Sequence, residues 1–308
     1  MYRFAPLFVI IAAMLWGIDG IVLRPALYSL PVPIVVLVES SLVTILLSPF
    51  FIRKLYLIKL LNKKDWLSFL AVALFGGAIG TMAITKALFY VDFVNLTIVI
   101  LIQKLQPLFA LFLAAVILKE KLPKIFFLWA GIAIIGTYIM TFGFSIPVVN
   151  AGDKTPLAAL FALIAAISFS ASTIFSKRAL RNVGFEVGTY LRFLVSSLIM
   201  LAIVLSLNQI GDVKNISADQ FIIFIIIAFT TGGLAIFLYY YGLKNITASV
   251  ATICELAFPL TAIILEFILR DNLLSVVQWA GVLILVFGIY KVTSLNKFEQ
   301  INQATHKK

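Results

Sequence analysis

Six side chains able to carry charge stand inside long apolar stretches of this sequence: Asp19, Glu39 and Glu255 on the acidic side, Lys86, Lys104 and Arg192 on the basic side. A charge at the centre of a bilayer costs at least about 2.5–3.5 kcal/mol, so such residues line a cavity, pair with one another, or do both. Lys86, like Glu266, lies near the end of its stretch, where a side chain can reach the interface unaided. Lys104 stands shortly before Pro107 and Glu255 shortly before Pro259, each well inside its stretch. A proline removes a backbone donor and loosens the helix around it, so Pro107 and Pro259 are expected as hinges that free carbonyls beside a charge. Lys104 and Glu255 should meet near the midplane, either as an ion pair or, with Gln103 and Gln106, as part of a polar site. Glu39 and Arg192 are separated by the same interval as Ile11 and Ile164. They form either a salt bridge or a site in which the Arg192 fork takes a carboxylate or phosphate and Glu39 takes a proton or an amine. Asp19 follows Trp16 in Trp16-Gly17-Ile18-Asp19-Gly20, where the glycines permit close helix approach beside the carboxylate. Trp16 serves either packing or a solute platform. Tyr239, Tyr240 and Tyr241 read as an aromatic belt at the membrane surface.

The elements that position these residues are membrane spans. Hydrophobic residues make up 63% of the 308, charged residues only 12%, and the mean hydropathy is 1.13; one soluble core could not hide so much apolar surface. Measured against the roughly 20 apolar residues a helical span needs, the sequence predicts ten helices, at 5–28, 32–52, 66–90, 94–118, 124–144, 156–180, 184–207, 219–243, 247–269 and 275–294. Phe221 to Ile227 is apolar without alternation, which excludes an outer-membrane barrel. The first stretch is too long for a signal peptide's apolar region and is expected as the first span. Of the 24 basic residues, only Arg24, Lys154, Lys214 and Arg270 fall in the outside loops and Lys86, Lys104 and Arg192 within spans; the rest gather on one side. That bias predicts a plasma-membrane protein with both termini cytoplasmic, and it explains the net charge of +11 without nucleic acid.

A phrase recurs half a chain apart. Leu118-Lys119-Glu120-Lys121-Leu122 runs on to Trp129-Ala130-Gly131, and Leu269-Arg270-Asp271-Asn272-Leu273 runs on to Trp279-Ala280-Gly281. Ile11-Ala12-Ala13 likewise matches Ile164-Ala165-Ala166, Gly76-Gly77 matches Gly232-Gly233, and Trp16 matches Phe169. The expected organisation is a five-helix unit over 1–144, an outside linker over 145–155, a second unit over 156–294 and a basic cytoplasmic tail over 295–308. Five spans per unit is an odd number, so the second unit enters the membrane from the opposite side and the repeat is inverted.

Trp16-Gly17, Arg192-Phe193, Pro107, Pro259 and the two charged helix exits, with the spacing and helix count, resemble the EamA-type transporters of the drug/metabolite transporter superfamily. The resemblance implies ten helices in two inverted repeats and alternating-access transport of small solutes, often outward, through a cavity between the halves. Two departures stand out: Glu39-Ser40 replaces a common Arg-Phe, and Lys104 is an unexpected charge.

Three functions follow as expectations. The first is a secondary transporter, an exporter, for small polar or zwitterionic metabolites such as amino acids. Trp16, Asp19, Glu39, Gln103, Lys104, Gln106, Arg192 and Glu255 would bind solute or couple its movement, a proton being the candidate co-solute. The second is a flippase that holds a lipid-linked phosphate at Lys104 or Arg192. The third is a scaffold with a closed, fully paired centre. A homodimer is left open, because one inverted pair already supplies a two-sided cavity. The only histidine is His306 and no Walker motif occurs, so no enzyme, cofactor or metal is expected.

Overall fold

Little in the apolar stretches interrupts a helix, and local signals fix where each one starts. Proline stands in the first turn of the helices that begin at Ala5, Val32 and Thr155, where its missing N–H costs nothing. Asn62 and Asp65 close a capping box at the start of the third helix, as Ser217 and Gln220 do for the eighth. Lys119, in the left-handed region at φ 57°, ends the short fourth helix.

The computed structural model describes residues 4–90, 99, 102–146, 154–270 and 275–305. Its helices are α1 Ala5–Leu27, α2 Val32–Lys54, α3 Lys63–Ala87, α4 Gln106–Leu118, α5 Lys124–Phe142, α6 Pro156–Ala179, α7 Phe185–Ser206, α8 Ala218–Asn245, α9 Ala248–Leu269 and α10 Val276–Leu295. All but the shorter α4 are long and apolar enough to cross a membrane, nine among the described residues. No strand occurs among the described residues. The front of the span expected at 94–118, most of the 145–155 linker, Asp271 to Leu273 and the last three residues of the tail lie outside the described residues. The backbone of α10 stays helical to Thr305.

The two copies of the Trp-Ala-Gly phrase lie on α5 and α10, which pack side by side, and the second copy sits in their seam. A Cβ on Gly281 would stand 2.3 Å from the Met140 backbone nitrogen, so only glycine lets the two axes come this close. Trp129 meets Phe287 edge-on at 5.5 Å across the same seam.

Polar pins hold one end of the bundle. Lys177 Nζ donates to the carbonyls of Leu243, Lys244 and Ile246 at 2.7, 3.0 and 2.6 Å. Lys244 in turn donates to Leu180 O at 2.9 Å and to Val183 O. Glu120, from the repeated phrase, accepts from Ala248 N, Ser249 N and Ser249 Oγ at 2.8, 3.1 and 2.6 Å, and so caps the start of α9.

Candidate functional site

Four helices carry wider, π-helical turns, and three of these turns border one cavity. Helices α1, α3, α4 and α8 contain π-helical turns at Asp19–Leu23, Ala73–Ile79, Ala114–Leu118 and Ala228–Gly232. Those of α1, α3 and α8 supply Asp19, Gly76, Gly77, Thr231 and Gly232 to the cavity wall. Helix α9 is broken by a turn at Glu255-Leu256, and the backbone before α4 turns in the same way at Lys104-Leu105. The prolines account for both breaks. Pro259 cannot donate to Glu255 O, which Phe258 N takes at 3.0 Å, and Leu108 N takes Leu105 O at 2.9 Å beside Pro107.

The cavity has a volume of about 580 Å³ and draws its walls from every helix except α5 and α10. Trp16, Asp19, Glu39, Gln103, Lys104, Gln106, Arg192, Glu255, Pro107 and Pro259, all the residues singled out from the sequence, line it. So do Arg24, Phe169, Thr173, Thr231, Tyr239, Thr252 and Phe258. Among the described residues, its charged ones are three acids, Asp19, Glu39 and Glu255, and three bases, Arg24, Lys104 and Arg192, a formal balance of zero.

The pairings differ from those expected. Arg24, assigned to an outside loop by sequence, stands in the cavity instead: its Nε donates to Asp19 Oδ2 at 2.6 Å and its Nη2 to Glu39 Oε2 at 3.2 Å. The π-helical turn explains this. In a helix of about 3.6 residues per turn, positions five apart point away from each other. Here the Arg24 N–H bonds to Asp19 O, and the wider turn stacks the two side chains on one face. Thr231 Oγ1 adds a bond to Asp19 Oδ1 at 3.1 Å, tying α8 to α1. Glu39 therefore pairs with Arg24 and not with Arg192. Arg192 lies over the Tyr240 ring at 5.6 Å, with Nη1 donating to its hydroxyl at 3.4 Å.

Lys104 and Glu255 share the cavity without an ion pair. Glu255 Oε1 accepts from Tyr239 Oη at 2.6 Å and from Thr173 Oγ1 at 3.3 Å. Lys104 has neither a hydrogen bond nor an ion pair among the described residues. The neighbouring glutamine side chain is occupied, Gln103 Nε2 donating to Ala162 O at 2.8 Å, while Ser170 Oγ donates to Gln106 O at 2.8 Å.

The tyrosine run is not a surface belt. Tyr239 reaches Glu255 and meets Trp16 with ring centroids 5.2 Å apart. Tyr240 is wholly buried, its hydroxyl 3.0 Å from Ser176 Oγ. Tyr241 packs edge-on against Phe8 and Phe185. Gly17, as expected beside Asp19, permits close packing: a Cβ there would stand 2.8 Å from Thr261 Cβ. Of the two residues set aside from the sequence, Lys86 is exposed and lies 5.6 Å from the Phe161 ring; the Glu266 side chain lies outside the described residues.

Comparison with known proteins adds a family. A model of the EamA-like transporter family matches residues 3–142 and again residues 156–294. The riboflavin transporter ImpX of Fusobacterium nucleatum is 45% identical over 291 residues, covering 94% of this chain and 97% of its own length. An uncharacterised transporter of Synechocystis is 25% identical over 76% of this chain and 67% of its own. A crystal structure 16% identical in sequence matches with a TM-score of 0.73 over 95% of this chain and 96% of its own, which shows a shared fold.

Proposed function

The chain belongs to the EamA-like transporter family, and from that premise we propose that it carries a riboflavin-class solute, a flat heteroaromatic ring with a polyhydroxylated tail, by alternating access. As a family member resembling a transporter along nearly its whole length, it is a multi-pass membrane transporter and not an enzyme. The solute class rests on one observation above all: aromatic rings, Trp16, Phe169, Tyr239 and Phe258, line the cavity, while its charges among the described residues balance to zero. Rings offer a flat uncharged solute stacking surface, and 580 Å³ falls within the roughly 300–1,000 Å³ typical of sites for molecules of that size. The 45% identity to a riboflavin transporter supports the same solute. An amino acid, the first expectation, would leave most of this aromatic wall without a partner. The two units of the family model are inverted in this proposal, with both termini cytoplasmic, and the cavity lies between them. One chain supplies every wall, so no second copy is required.

Glu255 is the carboxylate through which a proton would couple. Among the described residues it is the acid of the cavity with hydroxyl partners and no salt bridge. A proton there changes the charge of the site by one unit and links solute release to protonation.

Thermal unfolding of the detergent-purified protein tests the solute class. A ligand present at 100 times its dissociation constant adds about 2.7 kcal/mol to stability. Riboflavin should raise the melting temperature, and amino acids and lipid-linked phosphates should not. A rise with those compounds and none with riboflavin contradicts the proposal.

A further inference from the structure

Three polar groups in the cavity wall have capacity that the protein leaves unused. Thr252 is 2% exposed, lines the cavity, and its Oγ1 has no hydrogen-bond partner among the described residues. That is unusual, because a helical threonine ordinarily donates to the carbonyl one turn back, as Thr137 does to Ala133 O and Thr261 to Ala257 O. Glu255 lies one turn further along α9, on the same face. Both hydroxyls that reach it bond Oε1; among the described residues none reaches Oε2. Lys104, at the matching helix break before α4 and in the same cavity wall, holds an ammonium without a partner among the described residues. Thr252 Oγ1 is buried, which is unfavourable unless something completes its bonding, while Lys104 and Glu255 are half-buried.

Together they present a hydroxyl donor, a carboxylate acceptor and an ammonium donor. One edge of the isoalloxazine ring presents the complement, a carbonyl, an N–H and a second carbonyl. We propose that Thr252, Glu255 and Lys104 form a subsite for this cyclic imide edge: Glu255 Oε2 accepts from the ring N3–H, and Thr252 and Lys104 donate to the flanking carbonyls. The inference rests on the riboflavin-class reading and sharpens it, since the same edge occurs in uracil-like rings and is absent from amino acids, sugars and lipid phosphates. A protonated Glu255 loses its best acceptor, so the proton and the imide compete for one oxygen.

Quenching of flavin fluorescence by the purified full-length protein tests the subsite, with riboflavin and N3-methylriboflavin as probes. Methylation removes the N–H and places a methyl group against the carboxylate, so the methylated flavin should bind at least about tenfold more weakly. Thr252→Val should weaken riboflavin at least about threefold and yet melt no lower than wild type, because the hydroxyl it removes bonds nothing in the protein. Equal binding of the two flavins overturns the imide subsite and leaves the riboflavin-class reading standing. Failure of both flavins to bind removes that reading and the subsite with it.

Discussion

At the scale of single residues, Arg24 does most to hold the cavity's charges in place. It bridges Asp19 of α1 and Glu39 of α2, with side chains 9% and 17% exposed, while Thr231 fastens Asp19 to α8. Breaking a buried pair from one side strands the other charge, at a cost of about 3–5 kcal/mol. Arg24 is itself 30% exposed, so screening places its loss below that range, at about 2–3 kcal/mol. Arg24→Leu should therefore lower the melting temperature clearly, and Arg24→Lys less; an unchanged melting curve for Arg24→Leu would show that the two carboxylates do not need it. Glu255→Gln should abolish stimulation of transport by a proton gradient in vesicles, while exchange of solute without a gradient persists at weakened affinity. Gradient-driven transport that survives this substitution places coupling elsewhere. These roles were legible in the sequence to different depths. That Asp19, Glu39, Lys104, Arg192 and Glu255 face one cavity followed from the expense of burying charge among apolar residues. Which charges pair did not follow, because pairing depends on helix rotation and depth. Arg24 was hidden by the π-helical turn, which breaks the periodicity that a reading of helix faces assumes. Tyr239 was hidden in a run of three tyrosines that suits a membrane surface equally well.

At the scale of elements, the parts of the sequence that reveal the architecture are not those that make the site. The repeated Trp-Ala-Gly lies on α5 and α10, the two helices that contribute nothing to the cavity wall. The repeat is visible because helix packing restricts residue size, and it says little about solute. The two glycines of the phrase differ in their surroundings. A Cβ on Gly281 meets the Met140 backbone, and one on Gly131 meets nothing within 4 Å. Gly281→Leu should lower thermal stability by about 1–3 kcal/mol through overpacking and leave flavin affinity in the surviving folded protein unchanged. Gly131→Ala should melt no lower than wild type. Equal behaviour of the two variants would contradict the seam described. The breaks at Lys104-Leu105 and Glu255-Leu256 were legible through Pro107 and Pro259. The π-helical turns of α3 and α8 were not, although the first contains Gly76-Gly77 and the second ends at Gly232, within the glycine pair that the repeat had already matched to it.

At the scale of the whole molecule, the pinned end defines what has to open. Lys177 satisfies three carbonyls at the end of α8 and the turn beyond it, and Glu120 caps the neighbouring α9. Lys177→Met leaves those carbonyls to water and should speed amide hydrogen exchange across residues 243–249 relative to the α5–α10 seam. Unchanged exchange there would mean that the pins do not hold this end closed. A cavity walled by eight helices and flanked by a separate helix pair suits rocking of one half against the other, with the solute at its centre. The most direct test of that account is counterflow in proteoliposomes: purified protein reconstituted with riboflavin inside, and uptake of trace labelled riboflavin followed from outside. We expect transient accumulation of label that saturates, that excess riboflavin abolishes, and that amino acids leave unaffected. Absence of riboflavin exchange in vesicles that do exchange an amino acid, or that move a lipid-linked phosphate between leaflets, would contradict it.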